Sequence, residues 1–210
     1  VSKFKNTIKT KGVIHVGAHR AEELDEHLSA GAERIVWVEA NPDVFGEMAV
    51  NLVGAEGKHY TFNLACTDVD DDIIDFHVIY GPDANFMTGN KGCSSILEPT
   101  ERFSSWEKEI IKVPTITLDT LFDRNGLNFE DFDMIDLDVQ GAELSVLKGA
   151  MKLLKSISVV VSEITFSNPD YKNNTTSEEL IDFLKSQGFV MLETYMHDPN
   201  WGDALFVKES

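Results

Sequence analysis

The chain has 210 residues, enough for one domain with a sizeable core, and its 42% apolar and 26% charged shares are those of an ordinary globular protein. No apolar run is long enough to span a bilayer and Val1–Lys11 carries no signal-peptide pattern, so no membrane is expected as a partner. The net charge of −18 repels phosphate backbones, which argues against nucleic acid and for a neutral or cationic substrate.

In chain order, Val13–Val16 reads as a short buried strand ended by Gly17-Ala18. Ala21, Leu24 and Leu28 then recur at helical spacing, with Gly31 as a left-handed cap. Arg34–Glu39 is a second strand; Asn41-Pro42 caps a helix that turns Val44, Phe45, Met48 and Leu52 inward, and Lys58–Leu64 is a third strand. This β-α-β-α-β order predicts a parallel sheet covered by helices. The acidic run Asp68–Asp75 reads as a solvated turn, Asp75–Tyr80 as a strand, and Gly81–Ser105 as a long turn-rich stretch of the kind that forms lids. Ile110–Thr117 is extended and Leu118–Arg124 a short helix. Winding resumes with strand Asp133–Asp138, a helix from about Ala142 to Leu154, and strand Ile157–Ile164.

Thr176 to Glu179 is a capping box for the helix of Leu180, Phe183 and Leu184, which Gly188 ends. The last strands, Phe189–Tyr195 and Ala204–Lys208, are joined by a short loop with Pro199, Trp201 and Gly202, too short for a parallel crossover. The expected fold is one α/β domain, residues 1–210. It is a doubly wound, mostly parallel seven-stranded sheet with a C-terminal antiparallel hairpin and inserted loop and strands between the third and fourth core strands. Cys66 and Cys93 lack CxxC spacing and read as reduced thiols of a cytoplasmic protein.

Ligands of open α/β sheets bind beyond the carboxyl ends of the strands. At the first end, Gly17 lets backbone approach a ligand and His19 could meet a carboxylate, whereas Arg20 reads as a solvated helix residue. Glu39, roughly twenty residues further on, suits both hydroxyls of a ribose. At the third end either Asn63 or Asp68 borders a base. Asp136 and Asp138 alternate along the fourth strand and share a face, and burying two carboxylates is costly unless they bind something. Glu143 in the next helix suits a cap or a ligand equally, and Glu163 ends the neighbouring strand beside Asp138.

Several of these segments, in order, resemble the FkbM family of methyltransferases. They are Val38-Glu39-Ala40-Asn41-Pro42, the pair Ser94-Ser95, Val113-Pro-Thr-Ile-Thr-Leu-Asp119, and Asp136-Leu-Asp-Val-Gln-Gly-Ala-Glu-Leu followed by Val146-Leu147-Lys148-Gly149-Ala150. The resemblance implies a Rossmann-like class I methyltransferase fold, whose sheet ends in the same hairpin. It implies transfer of a methyl group from S-adenosylmethionine to a hydroxyl oxygen of a small molecule or sugar. Gly17, Ala18 and Glu39 map onto cofactor binding and Asp138 onto the active-site strand end. His15, His19, Ala21 and Asp136 depart from the family pattern, which usually has an acid, Asn, Gly and Lys or Asn there.

Taken together, the expected cofactor contacts are His15, Gly17, Ala18, His19, Glu39, Ala40, Asn63 and Asp138. Asp138 and Glu163 are the expected catalytic residues, with the 81–105 segment, including Ser94, Ser95 and neighbouring Trp106, as acceptor wall and lid. No resident metal is expected. The rival readings are a divalent cation on Asp138, Glu143 and Glu163, which would make the transfer cation-dependent, and a nucleoside-binding module without turnover.

Overall fold

A computed structural model describes residue 4 and residues 8–81, 91–167 and 169–209. The strands are β1 (Gly12–Val16), β2 (Arg34–Glu39), β3 (Lys58–Asn63), β4 (Ala65–Cys66), β5 (Ile73–Tyr80), β6 (Glu107–Ile116), β7 (Met134–Leu137), β8 (Val159–Thr165), β9 (Phe189–Met196) and β10 (Trp201–Lys208). The helices are α1 (Leu24–Ala30), α2 (Pro42–Asn51), α3 (Leu118–Asn125), α4 (Glu143–Lys148) and α5 (Ser177–Ser186). A seven-stranded sheet runs β3-β2-β1-β7-β8-β10-β9, parallel except where β10 lies antiparallel to both its neighbours. This is the wound sheet with a closing hairpin that the sequence predicts.

Both faces of this sheet are covered, so its strands are apolar on both sides. Ile14, Val16, Val36, Val38, Ile135 and Leu137 pack one way, with residues of α3, α4 and α5. Val13, Ile35, Trp37 and Met134 pack the other way, with Ala30 of α1 and Met48 of α2. Asn41 Oδ1 accepts from the Asp43 amide at 3.1 Å, and the Thr176–Glu179 capping box is formed. These caps satisfy amides that a helix start otherwise leaves unpaired.

The insertion between β3 and β7 is a second sheet, β4-β6-β5. The chain leaves the main sheet at Leu64, so the expected third strand ends one residue early, at Asn63, and the second sheet begins at Ala65. Of the 81–105 segment, residues 82–90 lie outside the described residues. The remainder has structure of its own: Ser95 bridges to His77, and Glu101–Phe103 is a 3-10 turn. Trp106 packs against Phe103, away from the cleft described below.

Three expectations are corrected. The helix expected from about Ala142 to Leu154 is α4, Glu143–Lys148, followed by a turn at Gly149, where a Cβ would lie 2.2 Å from the Thr67 carbonyl oxygen, and a 3-10 turn at Leu153–Lys155. Trp201 and Gly202 belong to β10, not to the loop before it. Arg20, expected in solvent, is buried with its guanidinium paired to Glu47 of α2. The helix after β1 also begins late, since His19 and Ala21 both adopt positive φ, 44° and 62°.

Candidate functional site

The carboxyl ends of β1, β2 and β7 open into one cleft of about 340 Å³, within the range of small-molecule sites. The insertion supplies its opposite wall through Ala65, Cys66, Phe76, Lys91, Ser94 and Ile96. Of the expected site residues, His15, Gly17, His19, Glu39, Ala40 and Asp138 line this cleft. Ala18 is buried and does not line it. Asn63 sits behind the end of β2, its amide donating to the carbonyls of Glu39 (2.9 Å) and Ala40 (3.1 Å). Asp68 accepts from the Ser145 hydroxyl at 2.7 Å.

Glu39 is held rigidly. Its Oε1 accepts from the Asn41 amide at 2.7 Å and its Oε2 from the His19 amide at 3.0 Å. Each oxygen keeps a lone pair, and the side chain borders the cleft, so two acceptors are fixed side by side. That arrangement fits a vicinal diol such as a ribose. Gly17 has a second role beside its place at the cleft. At φ 80° it passes so close to β7 that a Cβ there would lie 1.8 Å from the Asp138 carbonyl oxygen. The glycine therefore serves the contact between strand ends.

Asp138 faces the cleft, whereas Glu163 faces a separate hollow of about 10 Å³ beside Arg102 and Trp201. Gln140 joins them: its Nε2 donates to Asp138 Oδ1 at 2.6 Å and reaches Glu163 Oε2 at 3.4 Å. Gln140 is itself fixed at a positive φ of 54°, with its carbonyl accepting from the Ser95 hydroxyl at 2.9 Å. Desolvation raises the pKa of both carboxyls; the charge of Asp138 raises that of Glu163 further, and Asp203 and Asp136 do the same to Asp138. Glu143 turns away to accept from the Gly141 amide at 2.9 Å. Among the described residues, Asp138, Glu143 and Glu163 are therefore not gathered as a cation site.

Burial also pushes the carboxyls of Glu23, Glu39 and Glu143 up to about 7, and the imidazoles of His15 and His27 down to about 3. The two sets have opposite consequences. A carboxyl with a raised folded pKa stabilises the fold at low pH and loses that contribution as pH rises through the folded value. The two histidines contribute more stability as pH rises toward their ordinary 6.5 and nothing further above it. Above about pH 6.5 the carboxyls dominate, and stability is expected to fall by about 2 kcal/mol between about pH 6.5 and pH 8. Urea unfolding across that range measures it, and a midpoint that rises with pH contradicts these assignments.

Three residues that matter here were not singled out in the sequence. Lys91 is buried against the cleft, its Nζ 3.0 Å from Asp43 Oδ2 and 5.3 Å from the Tyr80 ring centre. It stands in an aperiodic stretch that gives no signal. Glu23 lines the cleft just before α1. Gln140 was in view, since it precedes Gly141 in the strand-end motif, but its bridging role needs the fold.

Known proteins give this geometry a context. The family model for the methyltransferase FkbM domain matches residues 15–191. No curated protein matches the chain in sequence. Among solved structures it is similar to magnesium protoporphyrin IX methyltransferase (ChlM) from Synechocystis PCC 6803 with bound S-adenosylmethionine, at 10% identity and TM-score 0.51, covering 99% of this chain and 74% of that one. It is similar to M. capricolum TrmK with S-adenosyl-homocysteine, at 9% identity and TM-score 0.50, covering 99% of this chain and 66% of that one. It is also similar to a protein named as an RNA methyltransferase from Pyrococcus horikoshii, at 12% identity and TM-score 0.50, covering 96% and 76%. Likeness at such identities shows the fold, which is the Rossmann-like class I methyltransferase fold.

Proposed function

The chain belongs to the FkbM methyltransferase family, and from that membership we propose that it transfers the methyl group of S-adenosylmethionine to a hydroxyl oxygen of a small molecule or carbohydrate. The observation that carries the reading is one cleft with a fixed pair of acceptors on Glu39 and a carboxylate, that of Asp138, turned into it. When bound, the cofactor supplies a methyl group on a positively charged sulfur. Of the residues lining the cleft, Glu39 would hold the ribose hydroxyls, Val38, Leu64 and Val139 would give the base an apolar seat, and His19 would face the amino-acid end. Asp138 takes the acceptor's proton on Oδ2, since Gln140 occupies Oδ1, and Gln140 with Glu163 keeps that carboxylate in place.

The charge of −18 favours a neutral acceptor over a polyanion, although the fold also occurs in proteins named as RNA methyltransferases. Both cysteines are free thiols, which suits a reducing compartment such as the cytoplasm. Among the described residues no helix is long and apolar enough to cross a membrane.

A screen of hydroxylated small molecules, sugars and RNA with isotopically labelled cofactor, read by mass shift, tests the reaction. Label on a hydroxyl oxygen is expected, and label on RNA or on nitrogen overturns the acceptor class. In the same experiment Glu39→Ala weakens cofactor binding by about 1–3 kcal/mol in calorimetry, the cost of one or two ribose hydrogen bonds. Unchanged affinity removes Glu39 from the site.

A further inference from the structure

From His15 at the cleft wall inward lies a group of side chains to which the proposed reaction gives no role. His15 of β1 stands in register with Asp136 of β7 and with Trp37 of β2, so the three share one face of the sheet. His27 of α1 covers them and is fully buried. His15 Nδ1 lies 3.0 Å from His27 Nε2, which lies 3.7 Å from Asp136 Oδ2, and one ligand atom from each residue falls within 4.8 Å of the others. We propose that His15, His27 and Asp136 are the protein ligands of one divalent transition-metal ion of the zinc and cobalt type.

The distances suit such an ion. Metal–ligand bonds of about 2.0–2.1 Å in a tetrahedron put neighbouring ligand atoms about 3.3 Å apart, and the two observed separations lie on either side of that value. The chemistry of the set also selects the ion, because two imidazole nitrogens and one carboxylate favour zinc-like metals over magnesium or calcium, which take oxygen ligands.

A second observation is independent of this spacing. Asp136 is 94% buried, given its 6% exposure, and among the described residues no hydrogen-bond donor reaches its carboxylate. Its nearest described positive partner is His27, at 3.7 Å. A single proton shared between the imidazoles satisfies that pair and leaves the carboxylate without a donor among the described residues, which is costly for an acid so little exposed. A cation at the meeting point engages all three groups. Among the described residues His27 Nδ1 has no partner with or without an ion, so it does not discriminate between the two states.

The test uses the whole chain, stripped with a chelator and titrated with Co²⁺ alone, with no methyl donor or acceptor present. It therefore stands or fails separately from methyl transfer. A visible absorption band saturating at one equivalent is expected. His27→Gln should weaken Co²⁺ binding by at least about 100-fold, more than loss of an outer-shell partner costs. Glu163→Gln should leave it unchanged. If His27→Gln does not fold, ¹⁵N spectra of the wild-type protein with Zn²⁺ decide the matter, since the ring nitrogens of His15 and His27 should move and those of the other four of its six histidines should not. Substoichiometric Co²⁺, a band that survives His27→Gln, or Zn²⁺ shifts confined to other histidines overturns the site.

Discussion

Asp138→Asn is expected to lower turnover on the acceptor by about 10²–10⁴-fold, the usual contribution of a positioned proton acceptor. The substitution keeps the oxygen that accepts from Gln140 Nε2 and removes charge and basicity. Cofactor affinity and melting temperature should stay near those of the wild type, because Glu39 lies on a different strand and the contact between β1 and β7 runs through the Asp138 backbone. The pH profile adds a separate reading. Burial raises the pKa of Asp138, so its base form gains population as pH rises, and the wild-type rate should climb along that limb. In Asp138→Asn the limb should vanish. Near-normal turnover in this variant sinks the assignment and turns attention to Glu163.

Gly17→Ala is expected to damage the fold itself. A Cβ 1.8 Å from the Asp138 carbonyl oxygen cannot be accommodated by rotating a side chain, because both partners are backbone. The strand ends must separate, breaking the 3.0 Å hydrogen bond from the Asp138 amide to the Val16 carbonyl. Together with the strain of alanine at a φ of 80°, the cost is about 3–5 kcal/mol, a large part of the stability of a domain this size. Melting should shift down by about 10 °C or more, and cofactor affinity should fall with it. A melting temperature within about 2 °C of the wild type shows that the strand ends are looser than the contact implies.

The frame of the fold was legible because its signals are local. Runs such as Ile35-Val36-Trp37-Val38 feed apolar residues to both faces of a sheet, and Asn41-Pro42 and Thr176 to Glu179 mark helix starts by their own chemistry. What escaped depends on residues distant in sequence. The Thr67 carbonyl lies against Gly149, just past the end of α4, and Arg20 is buried in a turn where Glu47 of α2 meets it. The site divides in the same way. Gly17, Glu39 and Asp138 stand at strand ends where a wound sheet places its ligands, so their positions could be read. Lys91 and Ile96 come from an aperiodic stretch. His27 reads as a polar helix residue until the fold sets it over His15 and Asp136.

The order of strands in the sheet has a consequence for how the chain reaches its final form. β9 is synthesised before β10, yet β10 lies between it and β8. The sheet therefore cannot grow one strand at a time as the polypeptide leaves the ribosome. Until residues 201–208 arrive, β9 has no ladder partner and β8 carries an open edge, with Glu163 lacking its register neighbour Asp203. β1, β2, β3, β7 and β8 can pair earlier, since none of their ladders involves those last strands. The strands that lead to Gly17, Glu39 and Asp138 can thus be assembled before residues 201–208 arrive, and those residues seal the edge beside Glu163 in a later step.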